Sequence, residues 1–429
     1  MRSSTKRFLK GFSSGVVVAT VLTLLVSNFA GAQAPIDRRV PSSFSVASDD
    51  FQQVLQHFLG PPMSEGNRIE VLENGIEIFP AMLKAIRGAR KTINFETYIY
   101  WSGNIAEQFA EALAERARSG IEVRVLLDWV GSAKMDTTLI KAMEDAGISV
   151  ARYQPPRWNR LDRFNSRTHR KLMIVDGRVG FTGGVGIGDV WTGDAQDPQH
   201  WRDLHFLVEG PVVAQLQAGF LDNWLETKQE VLIGDDYFPR SEPVGATLAQ
   251  NFISSPDEGS QSVQLLYLLA IAGARDRIRI STPYFVPDEI TLKTMVDAAG
   301  RGVSIKVIIP GPHIDSELTR WSSRARWGEL LEAGIEIHRY QPTMYHSKMM
   351  LVDGLLASVG STNFDNRSFK LNDESNLNIL DKNFVADLEA VFDKDLSRSE
   401  RVTLEAWRAR PMTERFWEQL HELLIASQV

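Results

Sequence analysis

Two histidine–lysine pairs stand out among the residues able to do chemistry, His169 with Lys171 and His346 with Lys348, and an aspartate follows each at the same distance, Asp176 and Asp353. Both segments read H-x-K-x4-D. On an extended chain residues i and i+2 share a face, so each imidazole projects beside its ammonium while Arg170 or Ser347 points away. Lysine is a fixed cation that can neutralise a phosphate and the charge developing on it. Histidine titrates near neutral pH, so one imidazole can attack while the other gives up a proton. These four groups suit cleavage of a phosphodiester without a metal or other cofactor. Asp176 and Asp353 count with the catalytic set as motif members, yet they lie past an apolar quartet and begin Asp-Gly turns, so they are expected to shape the turn. Glycine-rich stretches follow, and Gly183, Gly184, Ser361 and Asn363 are expected to bring amide groups to the phosphate.

The elements that must position these residues come in two copies. Ala85 to Arg90 followed by Thr92 to Phe95 matches Ala270 to Arg275 followed by Arg277 to Ile280. The runs Gly120 to Leu127 and Gly302 to Ile309 match next, then Arg152-Tyr153-Gln154-Pro155 and Arg339-Tyr340-Gln341-Pro342, always in the same order. Helical segments at Ile105 to Arg118 and Leu292 to Arg301 alternate with these strands, which predicts an α/β fold. Two similar domains are expected, at residues 68–240 and 250–429, packed about a pseudo-twofold axis with a paired site on it.

The 429 residues carry a net charge of −7, with 43% hydrophobic and 24% charged residues, a globular composition that excludes disorder as the main state. With no cysteine, disulfide scaffolds, thiol nucleophiles and Cys-ligated metals are excluded as well. No H-E-x-x-H spacing occurs, which disfavours zinc hydrolysis. Residues 1–34 open with Arg2, Lys6, Arg7 and Lys10 before an apolar run that ends at Ala32-Gln33-Ala34, the order of a secretory signal or a single uncleaved anchor. Either places the catalytic body outside the cytoplasm, because basic flanks stay inside. Residues 35–67 read as a linker with one short helix at Phe51 to Leu59. Arg152, Arg157, Arg160, Arg163, Arg167, Arg170 and Lys171 gather around Trp158 and Phe164, a mixture suited to an anionic membrane surface and also to single-stranded nucleic acid. The apolar leader and acidic balance favour lipid, so no nucleic acid partner is expected.

With these motifs the chain resembles the phospholipase D superfamily, over roughly residues 68–429. Within it the chain is most similar to bacterial cardiolipin synthases, through Ser281-Thr282-Pro283-Tyr284-Phe285-Val286-Pro287-Asp288-Glu289, Trp201-Arg202-Asp203 and Arg367-Ser368-Phe369 with Leu371-Asn372. The resemblance implies that His169 attacks phosphorus to form a phosphatidyl-histidine, that His346 serves as acid and base, and that Lys171 and Lys348 clamp the phosphate. It also implies a carboxylate some thirty positions beyond each histidine that accepts the imidazole's other N–H, with Asp203 and Glu374 as the matching residues. The implied reaction joins phosphatidylglycerol molecules into cardiolipin with release of glycerol. Hydrolysis of phospholipid, or of nucleic acid, by the same residues stays open. One departure stands in the first glycine-rich stretch, where Gly186 occupies the position of the family's asparagine while Asn363 keeps it in the second. Gly186→Asn is accordingly expected to be tolerated, and Asn363→Ala to cut turnover by about 10-fold to 1000-fold.

Overall fold

The computed structural model describes residues 40–155, 165–255 and 262–425. The expected signal or anchor, and Arg157, Trp158, Arg160, Arg163 and Phe164 of the basic loop, lie outside the described residues. Among those described, no helix is long and apolar enough to cross a membrane.

The first half contains strands β1 (Ser64–Glu73), β2 (Thr92–Thr97), β3 (Glu122–Asp128), β4 (Ser149–Tyr153), β5 (Arg167–Thr168), β6 (Leu172–Val175), β7 (Val179–Gly183) and β8 (Leu204–Glu209). The second contains β9 (Thr247–Ser254), β10 (Arg277–Ser281), β11 (Phe285–Val286), β12 (Ser304–Pro310), β13 (Glu336–Tyr340), β14 (Met349–Val352), β15 (Leu356–Gly360), β16 (Phe364–Asp365), β17 (Asn372–Leu380) and β18 (Ser399–Val402). The main sheet runs β18-β13-β12-β10-β14-β15-β17-β9-β1-β8-β7-β6-β2-β3-β4. Read outward from the antiparallel β9–β1 pair, the two halves repeat one order of strands. The expected α/β duplication about a pseudo-twofold axis is therefore present, fused into a single sheet.

Helices cover both faces. On one face each half has its own core: Ile78, Phe79, Phe109 and Leu113 pack on Phe95 and Val125, and Leu266, Ile271 and Met295 pack on Ile280 and Val307. On the other face the helices Val213–Lys228 and Lys382–Leu396 share one core, with Phe220 and Trp224 joined to Phe384 and Phe392 through residues of both halves. That shared core fixes the halves against each other, because slippage would expose it.

The short helix expected within the linker stretch is present, and it packs into the second half rather than lying free. A helix at Asp49–Val54, capped by the Ser48 side chain, continues as a π-helical turn to Leu59, and Val46, Phe51, Leu55 and Leu59 are buried in the second-half core. Its apolar spacing within a Pro- and Ser-rich segment shows no partner locally, which is why it reads as a linker. Phe51→Ala is expected to cost about 3–5 kcal/mol of stability, measurable as a lowered denaturation midpoint, whereas a true linker residue would cost almost nothing.

Candidate active site

His169 and Lys171 precede β6, and His346 and Lys348 precede β14. Each segment is held by the opposite half. The His169 N–H donates to the Asp373 carbonyl at 2.9 Å, and β5 pairs with Asn372 and Asp373 of β17. In the same way the His346 N–H donates to the Arg202 carbonyl at 2.8 Å, beside a bridge between Arg202 and Tyr345. These backbone contacts bring His169, Lys171 and His346 into one cleft of about 390 Å3. Lys348 lies beside them, its Nζ 3.3 Å from His346 Nε2.

The carboxylates cross over. The resemblance implies Asp203 for His169 and Glu374 for His346, but the structure pairs His169 Nδ1 with Glu374, 3.0 Å from each oxygen, and His346 Nδ1 with Asp203 Oδ2 at 2.7 Å. The cause is the backbone docking just described, since Asp373 precedes Glu374 and Arg202 precedes Asp203. Each half thus supplies an imidazole to its own motif and a carboxylate to the other. With Nδ1 bonded to a carboxylate, Nε2 of His169 is left to face a substrate, while Nε2 of His346 lies beside the Lys348 ammonium.

Burial lowers the His169 pKa to about 4, with Lys171 and Lys348 adding to the effect and Glu374 opposing it. His346 is also lowered, first by burial and then by Lys348. Both shifts favour the neutral rings in the free protein, so the proton that His346 is to donate must be taken up as the anionic substrate arrives. Against burial, the partner imidazoles and nearby lysines hold Asp203 and Glu374 below the usual carboxylate range. Burial brings Lys171 down to about 7, helped by Lys348, and Lys348 to about 8. An arriving phosphate restores negative charge and favours protonating these groups. For the free enzyme kcat/KM is expected to fall with rising pH first as His346 loses its proton and further through about 7 to 8 as ammonium charge is lost, while the fall in kcat comes at higher pH. Coincident alkaline limbs in the two pH profiles would contradict this.

The motif aspartates are outside the cleft. Asp176 and Asp353, expected to count with the catalytic set, begin left-handed turns with φ of 55° and 53°, followed by glycines at 61° and 62°. Asp176 accepts from the amides of Arg90, Lys91 and Thr92, and Asp353 from those of Arg275, Asp276 and Arg277. They anchor the entry of β2 and β10 beside β6 and β14.

The glycine-rich stretches also differ from expectation. The Gly184 and Ser361 amides donate to the Leu204 and Ser375 carbonyls, so they are not aimed at an anion. A β-carbon at Gly184 would lie 2.1 Å from Asp203 Oδ1, and one at Gly183 would lie 2.6 Å from His205 Cα, so glycine here makes room for the strand that carries Asp203. Ser361 Oγ donates to Glu374 Oε2 at 2.5 Å and fixes that carboxylate. Of the four expected phosphate-binding residues only Asn363 lines the cleft.

Gly186 is equally constrained. Its β-carbon would sit 2.8 Å from Ile99 Cβ and 3.2 Å from the Ile99 carbonyl oxygen. Gly186→Asn, expected from sequence to be tolerated, should instead displace the cleft-lining Ile99 and reduce turnover several-fold; pairing it with Ile99→Ala should recover part of the loss, and full activity of the single variant would reject the steric account.

Residues that sequence reasoning did not assign a role complete the site. Trp191 Nε1 donates to Asp203 Oδ2 at 3.0 Å, and the edge-on Trp191 ring and the tilted Trp201 ring each lie 5.4 Å from the His346 ring. Tyr98 lies edge-on to His169 at 5.1 Å. Arg170, grouped above with lipid-facing cations, is fully buried and bonds to Asp222, Ser255 and the Gly219 carbonyl. Among the described residues no group of three or more His, Asp or Glu side chains is arranged to hold a metal ion.

A duplicated α/β sheet with two carboxylate-held histidines and two lysines at its centre defines a phospholipase D-like enzyme. Residues 82–218 and 267–396 match the family described as cardiolipin synthase, PLD-like domain. The chain is 37% identical over 361 residues to the probable cardiolipin synthase YwiE of Bacillus subtilis (strain 168), covering 83% of this chain and 71% of that one. It is 32% identical over 404 residues to cardiolipin synthase 1 of Bacillus anthracis, covering 92% and 79%. In fold it is similar to the crystal structure of phosphatidylserine synthase from Haemophilus influenzae Rd KW20, with a TM-score of 0.67 and 14% identity over 89% of this chain and 99% of that one. The chain belongs to the cardiolipin synthase family of phospholipase D-like enzymes.

Proposed function

We propose that the protein transfers a phosphatidyl group between two phosphatidylglycerol molecules, making cardiolipin and free glycerol, at the surface of a membrane with its catalytic body on the extracytoplasmic side. The observation that carries this reading is the crossed pair of carboxylate-held imidazoles in one cleft. His169 Nε2 attacks phosphorus, the bond to the glycerol oxygen breaks, and His346 delivers the proton that glycerol takes away. The acceptor hydroxyl then gives its proton back to His346 as its oxygen displaces His169 from phosphorus. Lys171 and Lys348 hold the non-bridging oxygens through both steps, and Asn363, which lines the cleft, supplies its side-chain amide N–H groups. The name shared by the curated relatives supports cardiolipin as the product. The lipid surface is supported by the C-terminal helix Met412–Ile425, which buries Glu418 against Arg324 and Arg410 while exposing Met412, Phe416 and Trp417.

Incubating the purified protein with phosphatidylglycerol vesicles and reading lipid products by mass spectrometry tests the proposal. Cardiolipin with equimolar glycerol is expected. Phosphatidic acid as the main product would make the protein a hydrolase instead.

A further inference from the structure

The two walls of the cleft are related by the repeat yet differ in chemistry. Thr97 Oγ1 donates to the Ile99 carbonyl at 3.0 Å, and Thr282 Oγ1 donates to the Tyr284 carbonyl at 2.8 Å, so Ile99 and Tyr284 are equivalent positions. Gly186 and Asn363 are equivalent as well, since each precedes the residue that pairs with this segment, Ile187 with Tyr100 and Phe364 with Phe285. On the first-half wall Ile99 fills the space over Gly186, flanked by Trp101, Val130 and Ala133. Lys134, the cation of that wall, is stacked over Trp101 at 4.1 Å. On the second-half wall the Tyr284 hydroxyl donates to Asp315 Oδ2 at 2.6 Å, next to Asn363 and Ser316. Asp315 is exposed and makes no other hydrogen bond among the described residues, which leaves Oδ1 free to accept.

We infer that the cleft sorts the two arms of its phosphodiester by polarity: Asp315, oriented by Tyr284, receives the free hydroxyls of the polyol arm, and the apolar wall around Ile99 takes the acyl-bearing arm. A phospholipid ester is asymmetric in this sense, because one arm carries hydroxyl donors and the other hydrocarbon. A carboxylate satisfies two hydroxyl donors, whereas an apolar wall would leave them unpaired. The second-half wall belongs to the same half as His346, so the alcohol arm lies towards the group that exchanges its proton, and the attacking His169 is left to the opposite side. Asp315 is then a specificity residue for the alcohol, both as leaving group and as acceptor.

This inference rests on the phosphatidyl-transfer reading, and competition between two acceptors separates the two. The full-length protein is given phosphatidylglycerol vesicles with equal concentrations of deuterated glycerol and ethanol, and the ratio of deuterated phosphatidylglycerol to phosphatidylethanol is read by mass spectrometry. Both products come from one intermediate, so the ratio is independent of how much active protein is present. The wild type should favour glycerol, and Asp315→Ala and Tyr284→Phe should each move the ratio towards ethanol by about tenfold or more. A wild-type ratio in both variants would overturn the assignment while leaving transfer intact. Absence of both exchange products from the wild type would overturn the transfer reading and this inference with it.

Discussion

His169→Ala is expected to abolish both cardiolipin formation and release of p-nitrophenol from a phosphatidyl p-nitrophenol substrate, a loss on the order of 10^4-fold or more. In the proposed mechanism no other group can replace it, because the variant removes the atom that would bond to phosphorus. His346→Ala should behave differently. Glycerol is a poor leaving group that needs a proton, so turnover of phosphatidylglycerol should fall comparably, but p-nitrophenol departs as a stable anion without one. The His346→Ala protein should therefore give a burst of p-nitrophenol and accumulate phosphatidylated His169, detectable by mass spectrometry of the intact chain. The reversed pattern would exchange the two roles, and equal loss of p-nitrophenol release in both variants would end the division of labour.

The crossed carboxylates lead to the second large effect. Glu374→Gln should reproduce the His169→Ala phenotype and Asp203→Asn that of His346→Ala, each with a loss of about 10^2-fold to 10^4-fold, because the amide cannot hold the same tautomer or steady an imidazolium. His169→Ala combined with Glu374→Gln should be no worse than His169→Ala alone, since the pair acts as a unit. Pairing within each half would predict that Asp203→Asn, and not Glu374→Gln, abolishes the p-nitrophenol burst. Burst kinetics on the two single variants decide between these arrangements.

Much of the fold was legible because it is written twice. Alternation in strands such as Val123-Arg124-Val125 and Ile305-Lys306-Val307 is local, and chance does not place equivalent glycines, helices and H-x-K pairs in one order over two halves. The left-handed turns at Asp176 and Asp353 were legible for the same reason, since Asp-Gly after an apolar strand needs no distant partner. Ser361 and Gly184 were misassigned because their neighbours, the Glu374 carboxylate and the chain at Asp203 and Leu204, lie outside the local turn and meet them only through strand pairing. The short helix at Phe51 to Leu59 was legible, but its burial was not, as its core belongs to the second half.

The chemical types at the centre, two imidazoles and two ammonium groups on a duplicated α/β sheet, follow from local periodicity and internal repetition. Which carboxylate serves which imidazole does not, because Glu374 reaches His169 through a strand pairing between halves that share no local signal. The same is true of the unlike walls of the cleft. Ile99 and Tyr284 look interchangeable along the chain, and their contrast acquires meaning when packing sets one against Gly186 and the other against Asp315. Contacts of this kind depend on how whole layers dock, and docking is governed by the buried surface shared between the halves, which no short stretch of sequence encodes.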